Sequence, residues 1–458
     1  MSSRSNTTGG SFTLLGNFGF AALGIAFNVA SFFKNLYFLF FLTNVIFLDP
    51  ITAGTIISIS FVWDAVNDPM IGFFVANRKF KNGERMRPYA IHFGPFLMIT
   101  LVLMFTNFNI LQSAKYWGAL ILSLIYSVFM TFMGLSLQSA ALVTNDSYKR
   151  LSLNTFFTAG NTLGSYIGTV LCLPLMRMFD ALDTSGNISD GNKIFLVAVI
   201  FASIGIICII FFHFTTKENI KPAGKERVSV KKALASLMSQ RLHTRNLLFL
   251  LFFNTIIYLM LNSMLYFTTY VMRSTGLSTQ FMSAFTISGM IGIFFIKTLH
   301  KKLGRRNTML CVPLIIVAGK IWFLFNPYSI GAVYVSMITA GLMNPFAAAI
   351  VSTNRNDIVD IIEWKQGVRL DSIVSTFDSL MYKMVSSLIP IVLSFTLQHF
   401  RYDAAIAEQP SEVVSALIFF MGIPHVALCL LMLAATAKFP IEEEMEKMRA
   451  EKRKDAIG

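Results

Sequence analysis

Apolar residues run along this chain in long blocks separated by short polar stretches, from near one end to the other. A helix needs ~20 mostly apolar residues to cross a bilayer, whereas a barrel strand needs only about ten. Blocks of this length predict transmembrane helices, because helices and closed barrels alone satisfy the backbone in lipid. Twelve spans are expected, near residues 17–44, 51–76, 88–108, 115–144, 152–178, 193–215, 242–272, 277–300, 306–326, 329–353, 369–400 and 411–437.

Composition agrees with that pattern. The chain has 458 residues, 55% hydrophobic and 14% charged, against about 25% charged in a soluble domain. The net charge of +14 raises nucleic acid as a partner, but its placement excludes that reading. Basic residues cluster in every second loop: Arg78, Lys79, Lys81, Arg85 and Arg87, then Lys149 and Arg150, then Lys301, Lys302, Arg305 and Arg306. That alternation is the positive-inside pattern, so both termini are expected in the cytoplasm of a cell-membrane protein. A basic segment over 216–241 divides the chain. The expected layout is an N-terminal stretch 1–16, a six-helix bundle 17–215, the segment 216–241, a second bundle 242–437 and a tail 438–458. Met1 to Gly10 lack the features of a cleaved signal. Cys172, Cys208, Cys311 and Cys429 each lie in an apolar run without metal-ligand spacing, so no disulfide framework or metal centre is expected.

Charges inside spans carry the chemistry. The second span holds Trp63-Asp64-Ala65-Val66-Asn67-Asp68-Pro69. Asp64 and Asp68 are one turn apart and share a helix face, with Cβ atoms ~6 Å apart. Each carboxylate costs at least ~2.5 kcal/mol at mid-membrane depth, so the pair calls for a cation, a proton or a basic partner. Such oxygens hold Na⁺ or carry H⁺; the alternative is a structural salt bridge to a lysine. Lys383 lies within the eleventh span as an internal counter-charge, unless it snorkels to an interface. Lys34 in the first span has a depth similar to Asp64, and either pairs with it or snorkels outward.

After Pro69 the chain continues through Gly72 to Gly83-Glu84-Arg85-Met86-Arg87-Pro88. A second stretch reads Asp357-Ile358-Val359-Asp360, Glu363, Val368-Arg369-Leu370-Asp371 and then Lys383. On these motifs the chain resembles the glycoside–pentoside–hexuronide:cation symporters, the family of melibiose permease. The resemblance implies an all-α membrane protein of the major facilitator fold, with twelve transmembrane helices in two six-helix halves. It implies cation binding at Asp64, Asn67 and Asp68, with Lys383 beside the cation and solute sites. It further implies symport of a glycoside, sugar or uronide with Na⁺ or H⁺ by alternating access, with no cofactor and no enzymatic step.

The solute side departs from the family. Its first-span sugar-binding aspartate falls at Asn28 or Ala26, its fourth-span aspartate at Ser136, a nearby tryptophan at Ala140, and its fifth-span arginine at Thr155. A fourth-span cation-site threonine falls at Met133 and a tenth-span tryptophan near Ala348. Polar positions within spans nominate Asn28, Gln138, Ser136, Thr155, Asn254, Tyr258 and Asp378 as solute contacts. Small polar residues also serve as packing contacts in lipid.

Arg78, Arg85, Arg87 and Arg369, with Asp357, Asp360 and Glu363, are expected to form ion pairs at a cytoplasmic gate; a solvated positive-inside face explains the bases equally well. His425 is the histidine clearly within a span. A rival within the same fold is an uncoupled facilitator, or a carrier of amphipathic solutes such as lipids. A polytopic enzyme lacks any convergent nucleophile or metal set here. A sensor would bind solute without moving it. The expected partners are a small-molecule solute and membrane lipid, and a monomer suffices.

Overall fold

The computed structural model describes residues 14–76, 80, 83–108, 111–144, 147–182, 189–218, 237, 240–366 and 371–455. Among these residues all regular structure is helical. The helices are α1 (Leu14–Asn44), α2 (Pro50–Ala76), α3 (Pro88–Met104), α4 (Gln112–Leu135), α5 (Ser147–Val170), α6 (Cys172–Leu182) and α7 (Asp190–Thr215). They continue with α8 (Arg241–Tyr266), α9 (Gly276–Phe325), α10 (Ile330–Gln366), α11 (Asp371–His399), α12 (Ser411–Met421), α13 (Ile423–Thr436) and α14 (Ile441–Asp455).

Nine helices among the described residues are long and apolar enough to cross a membrane, ten when the bent pair α5–α6 counts as one span. The apolar α3 is shorter. Helix α2 has the length, at 27 residues, but Asp64, Asn67 and Asp68 dilute its apolar character. With these two the arrangement is consistent with the twelve expected spans. α9 holds two of them, Gly276–Ile296 and Lys301–Phe325. The helix is kinked at Gly304, near the start of the second of these, where a φ of 76° suits a residue without a Cβ.

Two spans are broken. The 45° bend between α5 and α6 precedes Pro174, which has no N–H to continue the helical ladder. The break between α12 and α13 falls at Gly422, just before Pro424. There the buried Lys320 ammonium donates to the Met421 carbonyl at 2.9 Å, meeting an acceptor that the helix leaves unbonded.

The chain separates into two compact units, Met1–Phe41 with Val66–Lys225, and Leu42–Ala65 with Glu226–Gly458. Residues 42–65 precede the expected midpoint of the chain yet group with its later part.

In the first unit Phe33 of α1 anchors an aromatic core. Its ring centroid lies 4.3 Å from that of Phe105 and 5.1 Å from that of Phe201 on α7. Helix α5 meets α1 through Gly160, Gly164 and Gly168, at intervals of one turn. A Cβ added at Gly160 would meet the Ala21 carbonyl, and one at Gly164 the Ile25 carbonyl. Small residues at this spacing let two backbones approach where lipid offers no hydrophobic drive for association.

In the second unit α8 packs against α10, α11 and α13. The first half of α2 lies along α11. Gly54 faces Ser394 and the Pro390 carbonyl, and Ser58 Oγ donates to the Ser387 carbonyl at 2.5 Å. Each step along α2 toward its C-terminus is a step back along α11, so the two run antiparallel. Beyond the end of α1, Tyr402 donates to Asn44 Oδ1 at 2.9 Å, and Asn44 Nδ2 donates to Tyr270 at 2.5 Å. These bonds fix residues 42–65 within the second unit.

The α1–α5 contact yields a stability prediction. Gly160→Ala should lower the melting temperature of the purified protein in detergent, because the new methyl meets backbone that cannot withdraw. Gly118→Ala, where nothing lies within 4 Å of the added Cβ, should leave it unchanged or slightly raise it.

Candidate functional site

Helix α2 carries Asp64, Asn67 and Asp68, and the division between the units falls between Ala65 and Val66. In the second unit the antiparallel register with α11 continues from Gly54 and Ser58 to Asp64. It brings Lys383 Nζ to 2.7 Å from Asp64 Oδ2, with the two side chains 15% and 21% exposed. In this structure the lysine is paired with Asp64. Beside it, Tyr382 donates its hydroxyl to that of Tyr258 at 2.6 Å, and Phe61 of α2 packs edge-on against Tyr258.

In the first unit α4 supplies hydroxyls to α2. Thr131 Oγ1 donates to Asp68 Oδ1 at 2.7 Å, and Asn67 Nδ2 donates to Ser127 Oγ at 3.2 Å. The Asn67 amide oxygen is buried and has no hydrogen-bond partner among the described residues. Carboxylate, hydroxyl and amide oxygens are the donor set of a hard cation. Thr131 is a contact to Asp68 that the motif alone does not reveal. Its signal was its place with Ser127 on a polar stripe of α4, one turn apart. Lys34, also in the first unit, has its ammonium 4.8 Å from the centre of the Tyr126 ring.

The expected solute contacts have varied surroundings. Asn28 Nδ2 donates to Asn161 Oδ1 at 2.6 Å and to the Gly24 carbonyl at 3.3 Å. Ser136 is buried and turns back to the Met133 carbonyl. Thr155 is exposed. Asn254 donates to the Leu250 carbonyl of its own helix. The backbone of Gln138 lies in a short 3₁₀ turn, Ser136–Ser139. Asp378 is buried, with His243 Nε2 3.1 Å from its Oδ1.

Of the charges expected at a gate, Arg87 and Asp357 make ion pairs, each within its own unit. The Glu218 carboxylate accepts the backbone N–H groups of Arg85, Met86 and Arg87, at 2.6, 2.9 and 2.5 Å. It caps the approach to α3, where an anion satisfies free amides and the helix dipole. Arg87 pairs with Glu84 at 2.6 Å and donates to the carbonyls of His213 and Thr216 at the end of α7. Gly83, with φ of 83°, turns the chain into this clamp, and Pro88 starts α3. The G-x-x-x-R-P loop therefore ties α3 to α7. In the second unit Asp357 pairs with Arg305, and Lys365 with Glu444 at 2.5 Å. Asp360 and Glu363 lie on α10 with Asp357. Arg78 and Arg369 lie outside the described residues.

Comparison with known proteins sets this geometry in context. The family described as MFS/sugar transport protein matches residues 19–443. The isoprimeverose transporter of Lactiplantibacillus pentosus is 24% identical over 419 residues, covering 89% of this chain and 85% of that protein. The sodium-dependent lysophosphatidylcholine symporter 1 of Gallus gallus is 21% identical over 446 residues, covering 91% and 84%. The crystal structure of a bacterial homologue of the human lysosomal transporter Spinster superposes with a TM-score of 0.69. It has 14% identity, and the match covers 96% of this chain and 99% of that one.

Breaking the Asp64–Lys383 pair tests its energetic role. Lys383→Ala removes the ammonium partner of a half-buried carboxylate and should destabilise the protein by ~3 kcal/mol. Adding Asp64→Asn should restore most of the loss. Thermal unfolding of the two single variants and the double variant in detergent checks this, and strictly additive losses would contradict it.

Proposed function

The chain belongs to the MFS/sugar transport protein family, and from that premise we propose that it is a secondary active transporter that moves a glycoside, sugar or uronide together with Na⁺ or H⁺. The reading takes the spans as two six-helix halves, 17–215 and 242–437, that alternate access to a central site, with both termini in the cytoplasm. The observation that carries it is the charge arrangement of α2. Asp64 is held by an ammonium on α11, while Asp68 and Asn67 face hydroxyls on α4.

A cation bound by Asp64, Asn67 and Asp68 would compete with the Lys383 ammonium for Asp64. Lys383 would then exchange Asp64 for the solute or a neighbouring hydroxyl such as that of Tyr382. Cation binding and solute binding would in this way depend on one another, which is the requirement for coupling. Lys34 adds a positive charge to the first unit and would bias the choice between Na⁺ and H⁺. Within the first unit, Asn28 with Asn161 and Thr155 are groups proposed to meet solute hydroxyls; within the second, Tyr258 with Tyr382 is a separate candidate.

A second reading keeps the machinery and changes the cargo. Neutral residues stand where the sugar-transporting relatives have acids and a stacking ring. One relative is named for lysophosphatidylcholine. An amphipathic solute would fit a site built of amides and hydroxyls rather than carboxylates.

Uptake into proteoliposomes under an imposed Na⁺ or pH gradient separates these readings. The probes are isoprimeverose, other pentosides, hexuronides and lysophosphatidylcholine. A sugar or uronide should accumulate above its external concentration; accumulation of the lysolipid alone would select the second reading. Asp68→Asn should abolish accumulation while sparing solute exchange. Thr131→Val should raise the cation concentration for half-maximal uptake about tenfold, the effect of ~1.4 kcal/mol. Undiminished gradient-driven accumulation by Asp68→Asn would remove Asp68 from coupling.

A further inference from the structure

A second pair of ionisable groups lies within the second unit, away from the α2 motif. His243 Nε2 and Asp378 Oδ1 are 3.1 Å apart, and each side chain is 3% exposed. His243 is near the start of α8, two residues after the exposed Arg241. Asp378 is on α11, five residues before Lys383. Asp378 Oδ2 is buried and has no hydrogen-bond partner among the described residues. The ring of Phe377 lies 6.0 Å from the imidazole, centre to centre. A polar layer in the same unit holds Asn246 and Asn354: Asn354 Nδ2 donates to Asn246 Oδ1 at 3.3 Å, and Asn246 Nδ2 donates to the Val351 carbonyl at 3.3 Å.

A buried carboxylate is stable when its oxygens are matched by donors or by a charge. Here the imidazole serves one oxygen and nothing serves the other. With one proton on the pair, as imidazolium and carboxylate, the net charge is zero. Losing it leaves one uncompensated negative charge among apolar groups. Gaining another, on Asp378 Oδ2, leaves one positive charge. The smallest ligand that moves the pair between these states is a proton, and the orphaned oxygen offers it a second seat.

We propose that His243 and Asp378 form a proton-binding site, distinct from the carboxylates of α2 and loaded from the Arg241 end of α8. The site lies on α11, the helix whose Lys383 compensates Asp64, so its charge state acts on the helix that reports cation occupancy. The packed helices also bring Arg355, Asp357, Asp360, Glu363 and Lys365 on α10, Asp371, Lys383 and His399 on α11, Glu412 on α12, and His425 and Cys429 on α13; Arg241 and Arg245 flank His243 on α8. Three of these have ion-pair partners, Asp357 in Arg305, Lys365 in Glu444 and Lys383 in Asp64. This site stands whether the solute is a sugar or a lipid and whether α2 takes Na⁺ or H⁺.

The test uses the full chain with ¹⁵N-labelled histidine in lipid nanodiscs, with protons as the only ligand. The ring signals of His243, identified by their loss in His243→Gln, should pass between charged and neutral forms as the pH is varied. Asp378→Asn should change the proton affinity of that ring about tenfold, and Asp378→Glu, which restores a carboxylate, should bring it back toward the wild-type value. The wild-type titration alone remains decisive if a variant does not fold. A His243 ring that keeps one protonation state throughout, or a transition indifferent to Asp378→Asn, overturns the proposal.

Discussion

An ionised carboxylate on a lipid-spanning helix is stable only when something positive or proton-donating answers it, and α2 carries two of them one turn apart. Much of the architecture follows from that requirement. For Asp64 the answer is the ammonium of Lys383 at 2.7 Å. For Asp68 the Thr131 hydroxyl is one part of it. The first contact needs the Asp64 part of α2 close to α11; the second needs the Asp68 part close to α4. Closeness to α11 comes from Gly54 and Ser58 meeting Ser387 and Ser394, side chains small enough for the backbones to approach. A bulky residue at Gly54 would move Asp64 away from its partner without touching either charge.

The same physics recurs wherever the chain leaves regular helix. Lys320 answers the free carbonyl at the break between α12 and α13. Glu218 answers the free amides before α3, and Arg87 the carbonyls at the end of α7. In lipid each such group would be costly if left alone. Charged residues in and near the spans thus divide into two kinds. Some, such as Arg87, Glu218 and Arg305, have several fixed partners and hold the scaffold. Others, such as Asp64 with Lys383 and His243 with Asp378, pair with another ionisable side chain inside the helical part of the chain.

The helical membrane architecture was legible from the lengths of the apolar runs, because the bilayer sets a fixed length for a span. The α2 motif was legible because two acids in an apolar run are conspicuous. What sequence could not supply was partnership across the fold. Lys383 could be named, but its contact with Asp64 depends on the antiparallel register of α2 and α11, which no local pattern encodes. Glu218 and His243 are charged or polar residues at helix ends, where such residues are ordinary, so neither stood out until its partner was in place. Asp378 was read as a solute contact from its depth in a span, yet depth is equally compatible with a buried pair.

The central claim is that α2 binds a cation whose passage is tied to that of the solute. The most direct measurement follows both species at once in the same vesicles, using radiolabelled Na⁺ and an entrapped pH dye alongside labelled solute. The account predicts influx of one cation, Na⁺ or H⁺, that appears only when the solute is present and in fixed proportion to it. Solute movement unaccompanied by either cation would contradict it.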